Sequence, residues 1–196
     1  MSVVVKYALR LLFSLMFIAA CNALPTTAPA LTTLAPDAIP NAAVVYYDVS
    51  GSTENELRDQ LDALGPVGFD GYKGDSTTRW YITWHWPTHQ DGSCQMDQTV
   101  VSYEIKVIFP RWKLTAGVSA QLVARWEQYT AALIEHEKGH VGLVVLNVPK
   151  VAEAVKGAQC EAANAVGEMM LAEIHKQEGE YDAITNHGAA QGARFP

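Results

Sequence analysis

Seven residues constrain this chain more than any others: Ile134-Glu135-His136-Glu137-Lys138-Gly139-His140, which contain the pattern H-E-x-x-H. On a helix, residues i and i+4 share a face, so His136 and His140 can offer two imidazole nitrogens to one point. Glu137 projects beside that pair, within reach of a water on a shared metal ion. Two neutral nitrogens with open coordination suit Zn2+, which lowers the pKa of a bound water towards neutrality. The pattern therefore predicts His136 and His140 as zinc ligands and Glu137 as a general base.

The surrounding residues sharpen that expectation. Leu122, Trp126, Tyr129 and Leu133 follow one another at spacings of four, three and four, and His136, His140 and Leu143 continue the series. Both histidines lie in register with an apolar stripe, on the face that meets the core. The competing reading is a pair of core histidines satisfied by hydrogen bonds; two partly buried imidazoles flanking a carboxylate are costly to satisfy that way. Gly139 and Gly142 each cost a helix interior about 1 kcal/mol relative to alanine. They permit close approach by substrate, by the segment carrying a third ligand, or by an ordinary packing helix.

Export is expected from the first residues. Lys6 and Arg10 precede the apolar run from Leu11 to Ala20, too short for a comfortable membrane span. The run ends Ile18-Ala19-Ala20-Cys21, which resembles a bacterial lipobox with Cys21 as the lipidated residue; ordinary cleavage after Ala23 is the alternative. Residues 1–21 are read as a lipoprotein-type signal peptide, residues 22–42 as a Pro/Thr/Ala-rich linker, and residues 43–196 as the folded domain. Cys94 and Cys160 remain as an even pair in an oxidising compartment and predict a disulfide. Two separate thiols are the alternative. A net charge of −7 without a basic tract argues against nucleic acid and anionic membrane surfaces as partners.

Within the domain, Val44 to Gly51 reads as a strand closed by a turn. Ser52 or Thr53 caps a helix with Glu56 as the capping-box acid and Leu57, Leu61 and Leu64 as its stripe. Residues 65–77 hold four glycines and form a loop. Trp80, Ile82, Trp84 and Trp86 alternate along a strand ended by Pro87, and that aromatic face is read as core. A second strand, with Val101, Tyr103, Ile105, Val107 and Phe109 on one face, follows closely enough for an antiparallel pair. His85 and His89 are four apart with Pro87 between them, so they read as strand and loop residues. The motif helix is expected from Ser119 to about Asn147, where Pro149 breaks or restarts it; a helical stretch over 150–178 ends at Gly179. The tail beyond is polar and glycine-rich.

A catalytic zinc site needs a third protein ligand. His187, in the glycine-flanked run Thr185-Asn186-His187-Gly188, is preferred; Glu161 on the following helix and Asp182 remain open, Asp182 also as a group orienting a ligand histidine. Tyr181 is a candidate donor to a tetrahedral oxyanion.

H-E-K-G-H, the strand ending Phe-Pro-Arg-Trp, Trp126 and Tyr129 leading into the motif, the paired Cys94 and Cys160, and the tail from Tyr181 to Ala193 together resemble a bacterial family of predicted secreted zinc-dependent proteases, a domain otherwise of unknown function. The resemblance covers about residues 44–196. It implies zinc held by His136 and His140, Glu137 as base, and export. The expected fold is α+β and zincin-like: a small antiparallel sheet, then the active-site helix, then a C-terminal packing helix. The expected function is an exported metallopeptidase acting on peptide or protein substrates. It is expected to be a monomer in the periplasm, touching membrane only through a lipid anchor. The alternatives are a non-catalytic zinc-stabilised envelope module and a cell-wall amide hydrolase.

Overall fold

The computed structural model describes residues 39–196. The segment expected to be a signal peptide, with Cys21, and most of the expected linker lie outside the described residues. Three strands and three helices follow in the order β1 (Ala43–Val49), α1 (Glu54–Leu64), β2 (Thr77–His85), β3 (Val100–Trp112), α2 (Ala120–Gly157) and α3 (Ala163–Thr185). Short 3-10 turns occupy Met96–Gln98 and Ala189–Gln191. The architecture is α+β, as expected from the residue pattern.

β3 is the central strand, with the order β1-β3-β2. β2 pairs with it antiparallel, Trp80 opposite Ile105 and Ile82 opposite Tyr103. β1 pairs with it parallel, Val44 opposite Val107. The sheet is thus mixed rather than wholly antiparallel. The chain passes through α1 and β2 between β1 and β3, and nothing in the residues of β1 marks its direction. The alternation anticipated for β2 and β3 places Trp80, Ile82, Ile105, Val107 and Phe109 in the core. Ile39 is also buried there, so the folded unit begins a few residues before Ala43.

Thr53 caps α1, its hydroxyl accepting from the Glu56 amide, while the Glu56 carboxylate accepts from the Ser52 amide at 2.7 Å. Leu57 and Leu61 are fully buried; Leu64 is exposed. Ser119 caps α2, accepting from the Leu122 amide at 3.2 Å. α2 does not stop at Asn147 but runs through Pro149 to Gly157. A proline in a helix interior costs about 3 kcal/mol. Val144, Val151 and Val155, all fully buried, offset it at about 1.5–3 kcal/mol each.

α2 and α3 form an antiparallel pair. Gly139 meets Tyr181 near one end and Asn147 meets Gln177 further along. Cys94, beyond β2, and Cys160, in the turn between the helices, lie at disulfide distance with Cα atoms 5.8 Å apart. They tie the sheet to the helical hairpin. α3 passes through Gly179 to Thr185, so Tyr181 and Asp182 sit on helix rather than in a tail. The last residues are packed as well: Phe195 is buried against Trp126 and Tyr129, and Arg58 Nη1 donates to its carbonyl at 2.9 Å.

Candidate metal centre

The apolar stripe of α2 carries its two histidines inward. His136 and His140 are buried at 5% and 7% exposure, on the floor of a cleft of about 990 Å3. Opposite them, the last turns of α3 deliver Asp182. Gly139 is what lets α3 come so close. A methyl group there would lie 2.2 Å from the Tyr181 hydroxyl oxygen, so the glycine makes room for the residue adjacent to Asp182. Gly142 has open space beside it and plays no such part.

Three ligand atoms converge. His136 Nε2 and His140 Nε2 are 3.3 Å apart, and Asp182 Oδ1 lies 3.3 Å from the first and 3.1 Å from the second. The edges of a tetrahedron around zinc, with bonds of about 2.0–2.1 Å, measure about 3.3 Å. His136, His140 and Asp182 therefore form a group able to hold a metal ion.

The outer nitrogens explain why both Nε2 atoms face inward. His136 Nδ1 is 2.9 Å from Gln191 Oε1, an acceptor only, so Nδ1 carries a proton and Nε2 is the nitrogen left to face Asp182 or a metal ion. His140 Nδ1 faces Glu178 Oε1 at 3.6 Å, and Glu178 is held by Trp80 Nε1 at 2.8 Å. Burial opposes charge on His140, yet the hydrogen bond to Asp182, the facing Glu178 carboxylate and nearby Glu137 prevail, raising its pKa to about 10. Burial likewise opposes ionisation of Asp182, but hydrogen bonds from His136 and His140 hold it far below the usual carboxylate range. The pocket is thus built to retain positive charge between these groups.

Glu137 is 2% exposed and its carboxylate accepts from the Ser76 hydroxyl and from Thr78 Oγ1, the latter at 2.6 Å. A carboxylate offers about four lone-pair sites, so these two bonds do not exhaust it. Ser76 is placed by its neighbour. Asp75 binds both terminal nitrogens of Arg58, at 3.0 and 2.5 Å, and accepts from the Tyr129 hydroxyl at 2.8 Å. The glycine-rich loop is pinned over the motif helix by these contacts.

The other candidates fall elsewhere. His187 stands at the rim, its Nδ1 3.7 Å from Asp182 Oδ1 and its ring stacked on Tyr72 at 3.9 Å. It is outside the inner triangle, because the turn after α3 carries it past the place that Asp182 already fills. Glu161 is exposed in the α2–α3 turn, beside Cys160 and far along α2 from His140. Tyr181 does not line the cleft. Its ring stacks on His136 at 5.3 Å, its hydroxyl donates to the His136 carbonyl at 3.3 Å and accepts from Gln191 Nε2 at 3.1 Å. That hydroxyl braces the backbone of His136 rather than facing the cleft. His85 and His89 are exposed and, among the described residues, join no group of ligand-type side chains. Reading residues alone missed Gln191, Glu178, Ser76 and Thr78, since none stands in a recognisable spacing with the motif.

What these elements define is an α+β domain whose longest helix and last helix clasp a His-His-Asp group beneath an open cleft. The chain belongs to the family described as "Bacterial protein of unknown function (DUF922)", whose pattern matches residues 44–188. No curated protein and no solved structure matches it.

Proposed function

We propose that the protein is an exported zinc metallopeptidase in which His136, His140 and Asp182 hold the ion and Glu137 is the general base. The observation that carries this reading is the triangle of ligand atoms, 3.1–3.3 Å on each side, opening on a cleft beside a buried, doubly hydrogen-bonded glutamate. Three protein ligands and one open position are the hallmark of catalytic rather than structural zinc. Bound Zn2+ would supply Lewis acidity towards a substrate carbonyl and towards water. Glu137 removes the proton from the attacking water and passes it to the leaving amine. Ser76 and Thr78 keep its carboxylate fixed while it does so. Gln191 and Glu178 hold the two imidazoles with Nε2 inward, so little reorganisation precedes the reaction.

A second reading is a non-catalytic envelope module with a closed zinc site, and one distance favours it. His187 Nδ1 is near enough to Asp182 that a modest movement would make it a fourth ligand. The two readings part at Glu137→Gln. A peptidase loses hydrolysis of casein by at least about a hundredfold, the scale of general-base catalysis, while its zinc content is unchanged. A closed module shows no hydrolysis in either form. Incubation with purified cell wall in parallel separates proteolysis from hydrolysis of wall amides.

A further inference from the structure

Asp182 belongs to two groups of metal-ligating side chains. One is the triad with His136 and His140; the other joins it to Asp70 and His187, with ligand atoms all within 4.8 Å of one another. All three members of the second group line the mouth of the same cleft. The His187 Nδ1 distance of 3.7 Å from Asp182 Oδ1 is beyond hydrogen-bond length. Among the described residues, the His187 ring nitrogens make no hydrogen bond; Nδ1 only faces the Asp182 carboxylate, at ion-pair distance.

One residue fixes both outer members. The Tyr72 ring lies flat on the His187 imidazole, 3.9 Å and 11° from parallel. The Tyr72 amide donates to Asp70 Oδ1 at 2.8 Å, which orients that carboxylate and leaves Oδ2 unengaged among the described residues. An imidazole and two carboxylates, each from a different turn of chain, are thereby set around one point at the cleft mouth.

The geometry points to a second divalent-cation site formed by Asp70, Asp182 and His187, with Asp182 as the carboxylate shared between two ions. The ligand set, one imidazole nitrogen and two carboxylates, suits Zn2+ or Mn2+. Paired ions about 3.5–4 Å apart recur in hydrolases, where they clamp the attacking and leaving oxygens together. The His187 Nδ1 to Asp182 Oδ1 distance of 3.7 Å exceeds the 3.1–3.3 Å of the inner group and Asp70 is exposed, so the outer ligands must draw in and the second ion binds more weakly. This inference rests on the metal-centre reading above through Asp182 alone.

The full chain, stripped by a chelator, is titrated with Zn2+ calorimetrically, and retained zinc is counted after dialysis. Two ions per chain are expected, the second at least about tenfold weaker, a gap of about 1.4 kcal/mol. His187→Ala and Asp70→Asn each abolish the weaker ion and leave the tighter one. With Co2+ as probe, the second equivalent attenuates the paramagnetic resonance of the first in the wild type and not in His187→Ala. A wild-type stoichiometry of one overturns the second site and leaves the inner centre standing; if that single ion is weakened in His187→Ala, His187 is its fourth ligand instead. Two ions retained in both variants overturn the site equally, and a chain that takes up no ion overturns both centres.

Discussion

In the proposed centre, a proton and a metal ion would compete for one electron pair on His140. Asp182 and Glu178 raise the pKa of that imidazole to about 10, so at neutral pH the metal-free site holds a proton on it. Metal uptake must displace this proton. Between about pH 7 and the folded pKa, apparent zinc affinity is expected to rise about tenfold per pH unit for the one proton released. Calorimetry in buffers of different ionisation enthalpy measures the released proton directly, and affinity independent of pH would contradict its displacement. Gln191 offers a subtler test at the same scale. Gln191→Ala leaves all three ligands in place but frees the His136 ring, and zinc affinity should fall about 10–100-fold. The two helix glycines predict opposite outcomes. Gly139→Ala meets the Tyr181 hydroxyl and should destabilise by about 1–3 kcal/mol, as overpacking does. Gly142→Ala meets nothing and should stabilise by up to about 1 kcal/mol. Urea unfolding of both variants reads the contrast.

At the scale of elements, the motif helix was the most legible part of the chain. Its stripe, cap and inward histidines follow from spacing alone, and so do α1 and the antiparallel β2–β3 pair. Its length was not legible, because Pro149 obeys local propensity while the surrounding valines obey tertiary burial, and burial wins. The same reason hid the helical placement of Tyr181 and Asp182, though both stand among the candidates: Gly179 reads as a stop, yet α3 is held against α2 on both sides of it. With Asp182 read as tail, its helical register opposite His140 could not be seen, and His187 drew attention through its glycine-flanked turn. The parallel β1–β3 pairing was invisible because strand direction depends on the path of the intervening chain. Cysteine parity, in contrast, picked out the pair that the fold brings to disulfide distance between sheet and helices. Cys94 and Cys160 are separated by 66 residues, so closing that loop stabilises the fold by about 4 kcal/mol in the chain-entropy account. Reduction, or Cys94→Ala with Cys160→Ala, should lower the unfolding free energy by about that amount, measured by urea titration; an unchanged midpoint would mean the bridge contributes nothing.

The whole molecule is arranged around one seam, where the sheet, the glycine-rich loop and the helical hairpin meet. Arg58 from α1, Asp75 from the loop, Tyr129 from α2 and the Phe195 carbonyl from the chain's last turn are joined there by hydrogen bonds. That knot lies beside the cleft and sets the height of Ser76 and Thr78 over Glu137. Asp75→Asn should therefore act at a distance, lowering activity through a misplaced Glu137 while zinc content stays whole. The chain carries a net charge of −7, so a cation approaching the cleft meets an attractive field at low ionic strength. Everything proposed for this protein depends on whether the seam holds an ion. The most direct measurement is anomalous diffraction at the zinc edge from crystals of the full chain grown with Zn2+. A peak about 2.0–2.2 Å from His136 Nε2, His140 Nε2 and an Asp182 carboxylate oxygen, with its remaining side towards the cleft, is the predicted result. No peak, or an ion bound elsewhere with those imidazoles turned apart, would contradict it.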